Sequence, residues 1–180
     1  MRRFWPMAAL LLAGCTRQEP LPVLGQVPPF HLTDERGRPF GSGALAGKAW
    51  LADFIYTTCQ GPCPLMSTKM RRMQRELPPE VHLVSFTVDP ANDTPPVLAA
   101  YARRYGAEPG RWHFLTGDQA ALNDLGRNGF HMNSVDGKLD HSTRFALVDG
   151  RGRIRGYYLS TEDGLFARVA RDARRVQKEG

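Results

Sequence analysis

Cysteine is scarce in this 180-residue chain, with three in all. That excludes a scaffold stapled by disulfides. Long apolar runs are missing too. Phe4 to Leu12 is the most hydrophobic stretch, and at about nine residues it falls well short of the ~20 that cross a bilayer. No second Cys-x2-4-Cys and no His-x3-5-His occurs, so a compact structural zinc motif is excluded. There are no internal repeats and no low-complexity tracts. Charge of either sign is not in large excess: the formal net charge is +6, which gives no case for nucleic acid. What remains is ordinary. Hydrophobic content of 42% and charged content of 23% are those of a soluble globular protein, and the length suits one domain with a real core.

The first segment, "MRRFWPMAALLLAGCTRQEP", does not belong to that core. Arg2 and Arg3 form a basic n-region, Phe4 to Leu12 an apolar h-region, and "LAGC" a small-residue cleavage site. The ending resembles a bacterial lipobox, which implies cleavage before Cys15 and a diacylglyceryl group on its sulfur. A lipid on the sulfur plus an N-terminal acyl group is the two-signal arrangement that stable anchoring requires. Residues 1–14 are therefore read as a signal peptide, and 15–29, with four prolines, as a lipidated tether. Residues 30–180 are the domain. Cleavage removes two arginines and lowers the formal charge from +6 to +4. The domain would sit on the extracytoplasmic side of a bacterial envelope membrane, where thiols are readily oxidised unless reduced or metallated.

Within the domain, "FHLTDERGRPF" reads as a hairpin turning at Gly37. "KAWLADFIYT" (48–57) is an apolar run suited to a strand buried on both faces. "PLMSTKMRRMQREL" (64–77) is helical by pattern, with Leu65, Met66, Met70, Met73 and Leu77 on one face, and "PPE" stops it. A strand over 81–89, a helix over 96–106 ending at Gly106, a short strand over 111–117 and a helix capped by Asp118 follow. "TRFALVDGRGRIRGYYLS" is two strands about an Asp-Gly turn, and an amphipathic helix closes the chain. Strands alternating with helices imply a largely parallel centre with the last hairpin added antiparallel. The expected fold is α/β: a thioredoxin-like three-layer sandwich with a central mixed sheet and an N-terminal hairpin.

"TTCQGPCP" (57–64) puts Cys59 and Cys63 four residues apart, where the first long strand enters a helix. The free N–H groups and positive dipole end there favour thiolate, the form that attacks disulfides and binds metal. Four-residue spacing brings both side chains to one face of the first turn, near enough to share an ion or close a disulfide. Two inert buried cysteines are the plainer alternative, set against the exposure of side chains at this kind of junction. Cys-x2-Cys would suggest a dithiol oxidoreductase; a third intervening residue leaves more room for metal, and soft thiolates select Cu(I) or Zn. With no fourth-ligand motif for zinc, copper fits better. Of the five histidines, His31 and His82 read as edge residues, His113 as packed and His131, beside Met132, as solvent-exposed in a turn. His141 differs: it precedes the strand "RFALVD", in the loop that faces the cysteine junction in a thioredoxin-like layout.

"DFIYTTCQGPCP", "VSFTVDPANDTP", "WHFLTG" and "DHSTRFALVDGRG" resemble, in order and spacing, the Sco/SenC family over about residues 24 to 176. The resemblance implies an anchored copper-binding protein that serves assembly of the binuclear CuA centre of cytochrome c oxidase. It would do so by delivering copper, as Cu(I) or Cu(II), by reducing the CuA cysteines, or both. Cys59, Cys63 and His141 would then be the metal ligands. Asp89 and Asp93 occupy the family's acidic positions, for ligand orientation or partner docking, and Asp140 would orient or solvate His141. The partners implied are the CuA-bearing oxidase subunit, another copper chaperone or a thiol reductant, and the membrane through the lipid. Members often carry a transmembrane anchor, whereas this chain reads as lipidated.

The rival reading is an extracytoplasmic thiol–disulfide reductase without a metal role, in which Cys59 attacks and Cys63 resolves. A peroxidase of the same fold would need one cysteine in a peroxide-activating Arg/Thr setting, and a pair stands here instead. Met66, Met70 and Met73 are possible soft ligands by chemistry but core residues by pattern. Arg168, Arg171, Arg175 and Lys178 form a basic stripe on the last helix that reads as a solvated face, with anionic headgroups as the alternative. Trp50 and Trp112 read as core.

Overall fold

The computed structural model describes residues 19–132 and 142–179. Cys15, Asp140 and His141 lie outside the described residues. In chain order the elements are β1 (Gly25–Gln26), β2 (His31–Asp34), β3 (Pro39–Gly41), a 3-10 turn (Ser42–Leu45), β4 (Trp50–Ile55), α1 (Pro62–Glu76), β5 (His82–Thr87) and α2 (Pro95–Tyr105). Then come β6 (Trp112–Thr116), α3 (Gln119–Asp124) running into a π-turn (Leu125–Gly129), β7 (Arg144–Val148), β8 (Arg153–Leu159) and α4 (Leu165–Glu179).

The eight strands of the described residues join one sheet in the order β1-β8-β7-β4-β5-β6-β2-β3. β4, β5 and β6 are parallel, and β7 and β8 extend them antiparallel. The mixed sheet and the N-terminal hairpin match the expectation. β4 is buried along its whole length and splits its side chains by alternation. Leu51 and Ile55 pack with Met66, Met70, Met73, Leu98, Phe145, Val169 and Val176 beneath α1, α2 and α4. Trp50, Ala52 and Phe54 pack on the other face with Phe30, Phe86, Leu122, Leu125 and Phe130. Helices thus cover both faces, giving three layers.

The helix ends follow local chemistry. α1 opens with Pro62 in its first turn and ends at Leu77, whose N–H bonds Met73 O before Pro78 and Pro79 forbid continuation. α2 ends at Gly106, which adopts φ 65° and returns its N–H to Ala102 O and Arg103 O. Asp118 caps α3, accepting from Ala121 N.

Two expectations are revised. Leu65 points to solvent, because α1 turns Cys63, Met66, Met70 and Met73 inward and leaves Leu65 about 100° away from Met66. Ser67 and Gln74 take buried places instead: Ser67 bonds the Tyr101 hydroxyl at 2.9 Å, and Gln74 bonds Gly106 O and Glu108 N. Order also reaches back past residue 30, into the proline-rich stretch. Leu24 N bonds Ile154 O, β1 pairs with β8, and Arg155 donates to Leu21 O and Pro22 O.

Candidate metal centre

β4 delivers the chain to the carboxyl end of the sheet, where Tyr56 to Gly61 form a tight loop before α1. The Cys59 N–H closes this loop on Tyr56 O at 3.3 Å. Both thiols are free and buried. The head of α1 has an unusual shortage of donors: Pro62 and Pro64 carry no N–H, so among residues 62–64 only Cys63 offers one. That N–H goes to the Cys59 sulfur, and Gly61 N adds a second contact at 3.4 Å. Burial pushes the Cys59 thiol up, but the Cys63 N–H and thiol, the Gly61 N–H and the Tyr56 hydroxyl outweigh it, and its pKa lies below the ordinary thiol value. Burial dominates at Cys63 and drives its pKa strongly upward, helped by the neighbouring Cys59 sulfur and the Asp53 carboxylate. The first sulfur is biased toward thiolate relative to an ordinary thiol and its neighbour away from it.

The acidic loop after β5 supports this junction from behind. Asp93 is fully buried and accepts from Thr57 N at 3.1 Å, from Thr57 Oγ1 at 2.5 Å and from Thr87 Oγ1 at 2.5 Å. It pins the start of the cysteine loop to the end of β5. Asp89 receives Asn92 Nδ2 at 2.8 Å, and its own N–H bonds Thr87 Oγ1. Of the two aspartates, Asp93 positions the loop, and Asp89 organises its own turn.

Several contributors escape inspection of the sequence. Asp53 lies in the middle of β4, wholly buried; burial lifts its carboxyl to about 7 against the one hydrogen bond from Ser85 Oγ, and its Oδ2 has no partner. An apolar run with one Asp was the available signal. Thr57 and Thr87 could be found only once the β4–β5 pairing is known. Tyr56, with its pKa raised by the hydrogen bond to Cys59 and by burial, carries no motif of its own.

The described histidines stay apart from the sulfurs. His31 is exposed. His82 and His113 stack with ring centroids 6.0 Å apart, and His113 also lies against Phe40. His131 is exposed with φ 50°, while Met132 is buried. Met66, Met70 and Met73 are core, as are Trp50 and Trp112. Among the described residues no three His, Cys, Asp or Glu side chains gather as a metal cluster. The structure therefore supplies two sulfurs of the expected set, and His141, Asp140 and Cys15 fall outside what it describes. Two free cysteines of unequal acidity at a helix head suit a soft cation such as Cu(I).

The SCO1/SenC family model matches residues 22–176. Among curated proteins, a SCO1 protein homolog of Bacillus subtilis is 31% identical over 174 residues, covering 92% of this chain and 90% of the relative. A solved SCO1/SenC family lipoprotein of Bacillus anthracis is 30% identical with a TM-score of 0.76, covering 84% of this chain and 95% of that one. BsSco, described with a disulfide switch as a member of the Sco family of cytochrome c oxidase assembly proteins, is 27% identical with a TM-score of 0.79. That likeness covers 90% of this chain and 100% of BsSco. ScoI of Bradyrhizobium japonicum, solved with copper bound, is 25% identical with a TM-score of 0.68, over 84% and 99% of the two chains.

Proposed function

The chain belongs to the SCO1/SenC family of copper-binding cytochrome c oxidase assembly proteins, and from that membership we propose that it carries copper for, and reduces the cysteines of, the CuA site. Cys59 and Cys63 are the sulfur ligands and His141 the third. The observation that carries the reading is the asymmetric thiol pair at the head of α1. Copper is cargo here. Cys59, already biased to thiolate, takes the ion first; Cys63 loses its proton as the cation's charge offsets the cost of a buried anion. Release proceeds by exchanging one ligand at a time with thiolates of the recipient.

The same asymmetry favours thiol–disulfide exchange as a companion activity. Cys59 thiolate attacks a recipient disulfide, forming a mixed disulfide and expelling one recipient thiolate. Cys63, giving up its proton, then attacks the Cys59 sulfur. A Cys59–Cys63 disulfide forms, the second recipient thiol leaves, and two electrons have passed. A recipient must be reduced before it can be metallated, so the two roles follow in order.

For placement we propose that residues 1–14 are removed, Cys15 is lipidated and the domain faces the extracytoplasmic side. The solved lipoprotein relative supports this reading. No helix among the described residues is long and apolar enough to cross a membrane.

Copper titration of the reduced chain and of Cys59→Ser, Cys63→Ser and His141→Ala, with X-ray absorption to count sulfur neighbours, tests the ligand set. Two sulfurs per copper are expected in the unaltered chain, with affinity falling at least tenfold in each variant. Unchanged affinity in His141→Ala would remove His141 from the ligand set, and no copper uptake by the reduced chain, with exchange activity retained, would leave the reductase reading standing alone.

A further inference from the structure

The basic face of α4 acquires a purpose from where the N-terminal segment ends. At about 100° per residue, Arg171, Arg174 and Lys178 lie within about 40° of the direction opposite Val169, the centre of the buried stripe. All three are exposed. Arg171 pairs with Asp172 at 2.9 Å, and Arg168, on the flank, with Glu162 at 2.8 Å. Arg174 and Lys178 have no ion pair among the described residues. The acid nearest the helix end, Glu179, is already engaged by Arg155.

The described chain begins beside this face. Arg175 donates to Glu19 O, and Arg155 grips Leu21 O and Pro22 O while also holding Glu179. Four residue steps separate Cys15 from Glu19, a reach of about 14 Å at most. Whatever membrane holds a lipid on Cys15 is thus held within that distance of the C-terminal half of α4. Gln177 Oε1 accepts from Ala49 N, just before β4 begins. This end of α4 is therefore opposite the end where β4 releases the cysteine loop, about 20 Å away along the strand.

We propose that Arg171, Arg174 and Lys178 rest on anionic phospholipid headgroups, turning the lipid tether into an oriented attachment through the outward face of α4. The proposal rests on the lipidation of Cys15. Each cation near such a surface strengthens association roughly fivefold, and the short tether removes the cost of bringing the face to the bilayer.

The test uses the full lipidated chain in vesicles of phosphatidylglycerol or of phosphatidylcholine, reading acetylation rates at Lys178 and, as a reference near the cysteine end, at Lys69. Acetylation of Lys178 should slow at least fivefold in phosphatidylglycerol. It should recover in about 0.5 M salt or on Arg174→Glu, with Lys69 unchanged throughout. Equal Lys178 rates in both vesicles, with the Cys15 peptide carrying its lipid by mass, overturn the docking and leave the anchor intact. A Cys15 peptide without lipid overturns the anchor and, with it, the docking built on that anchor.

Discussion

Cys59 and Cys63 stand side by side at one helix head, yet four donors favour the anion at the first and burial suppresses it at the second. Alkylation of the reduced, metal-free chain at neutral pH should therefore modify Cys59 at least tenfold faster than Cys63, as read by mass spectrometry of the labelled peptides. Equal rates would remove the basis for assigning attack to one sulfur and resolution to the other. The pairing itself was legible in "TTCQGPCP", because strand, loop and proline-led helix are all local signals. The difference between the sulfurs was not. It arises from the burial of Cys63, from Tyr56, from the lone Cys63 N–H left between two prolines, and from Asp53 buried within β4, none of which is encoded by spacing.

At the scale of elements, α1 shows what periodicity captures and where it stops. Met66, Met70 and Met73 form its buried stripe, whereas Leu65 belongs to the exposed side. Met70→Ala should cost about 2–5 kcal/mol, since the side chain is fully buried and the surrounding strands cannot collapse into the gap. Leu65→Gln should change stability by no more than about 0.5 kcal/mol. Urea unfolding of the two variants decides which face is which. Apolarity alone put Leu65 with the methionines, because a 15-residue helix with five apolar side chains besides its prolines admits stripes of slightly different phase. Ser67 and Gln74 settle the phase through bonds to α2 and the loop after it, partners that lie more than 30 residues away. The two-residue β1 escaped for the same reason: its order comes from β8, not from its own prolines.

For the whole molecule, one buried and one half-buried group pull stability in opposite directions as pH changes. Asp53 holds its proton up to about 7 in the fold but releases it near 3.8 when unfolded. Its contribution is complete below about 4 and is lost as pH rises through 7. His82 is depressed to about 4, chiefly by burial and then by Lys48, His113 and Arg111, from 6.5. Its contribution is complete above about 6.5 and is lost as pH falls through 4. Between pH 4.5 and 6.5 the slopes oppose, each at most about 1.4 kcal/mol per unit. Asp53→Asn should therefore leave a chain whose urea midpoint climbs with pH across that window, and His82→Gln one whose midpoint declines. Parallel profiles for both variants would contradict the assignment. The Arg155 clamp carries a mechanical corollary. Were the chain held by a lipid on Cys15, tension along that leash would enter β8 and the tail of α4 through Leu21, Pro22 and Glu179. Under the proposed anchoring, a domain pulled at its moorings would be loaded at its base, while the cysteine loop would ride unstressed at the opposite tip.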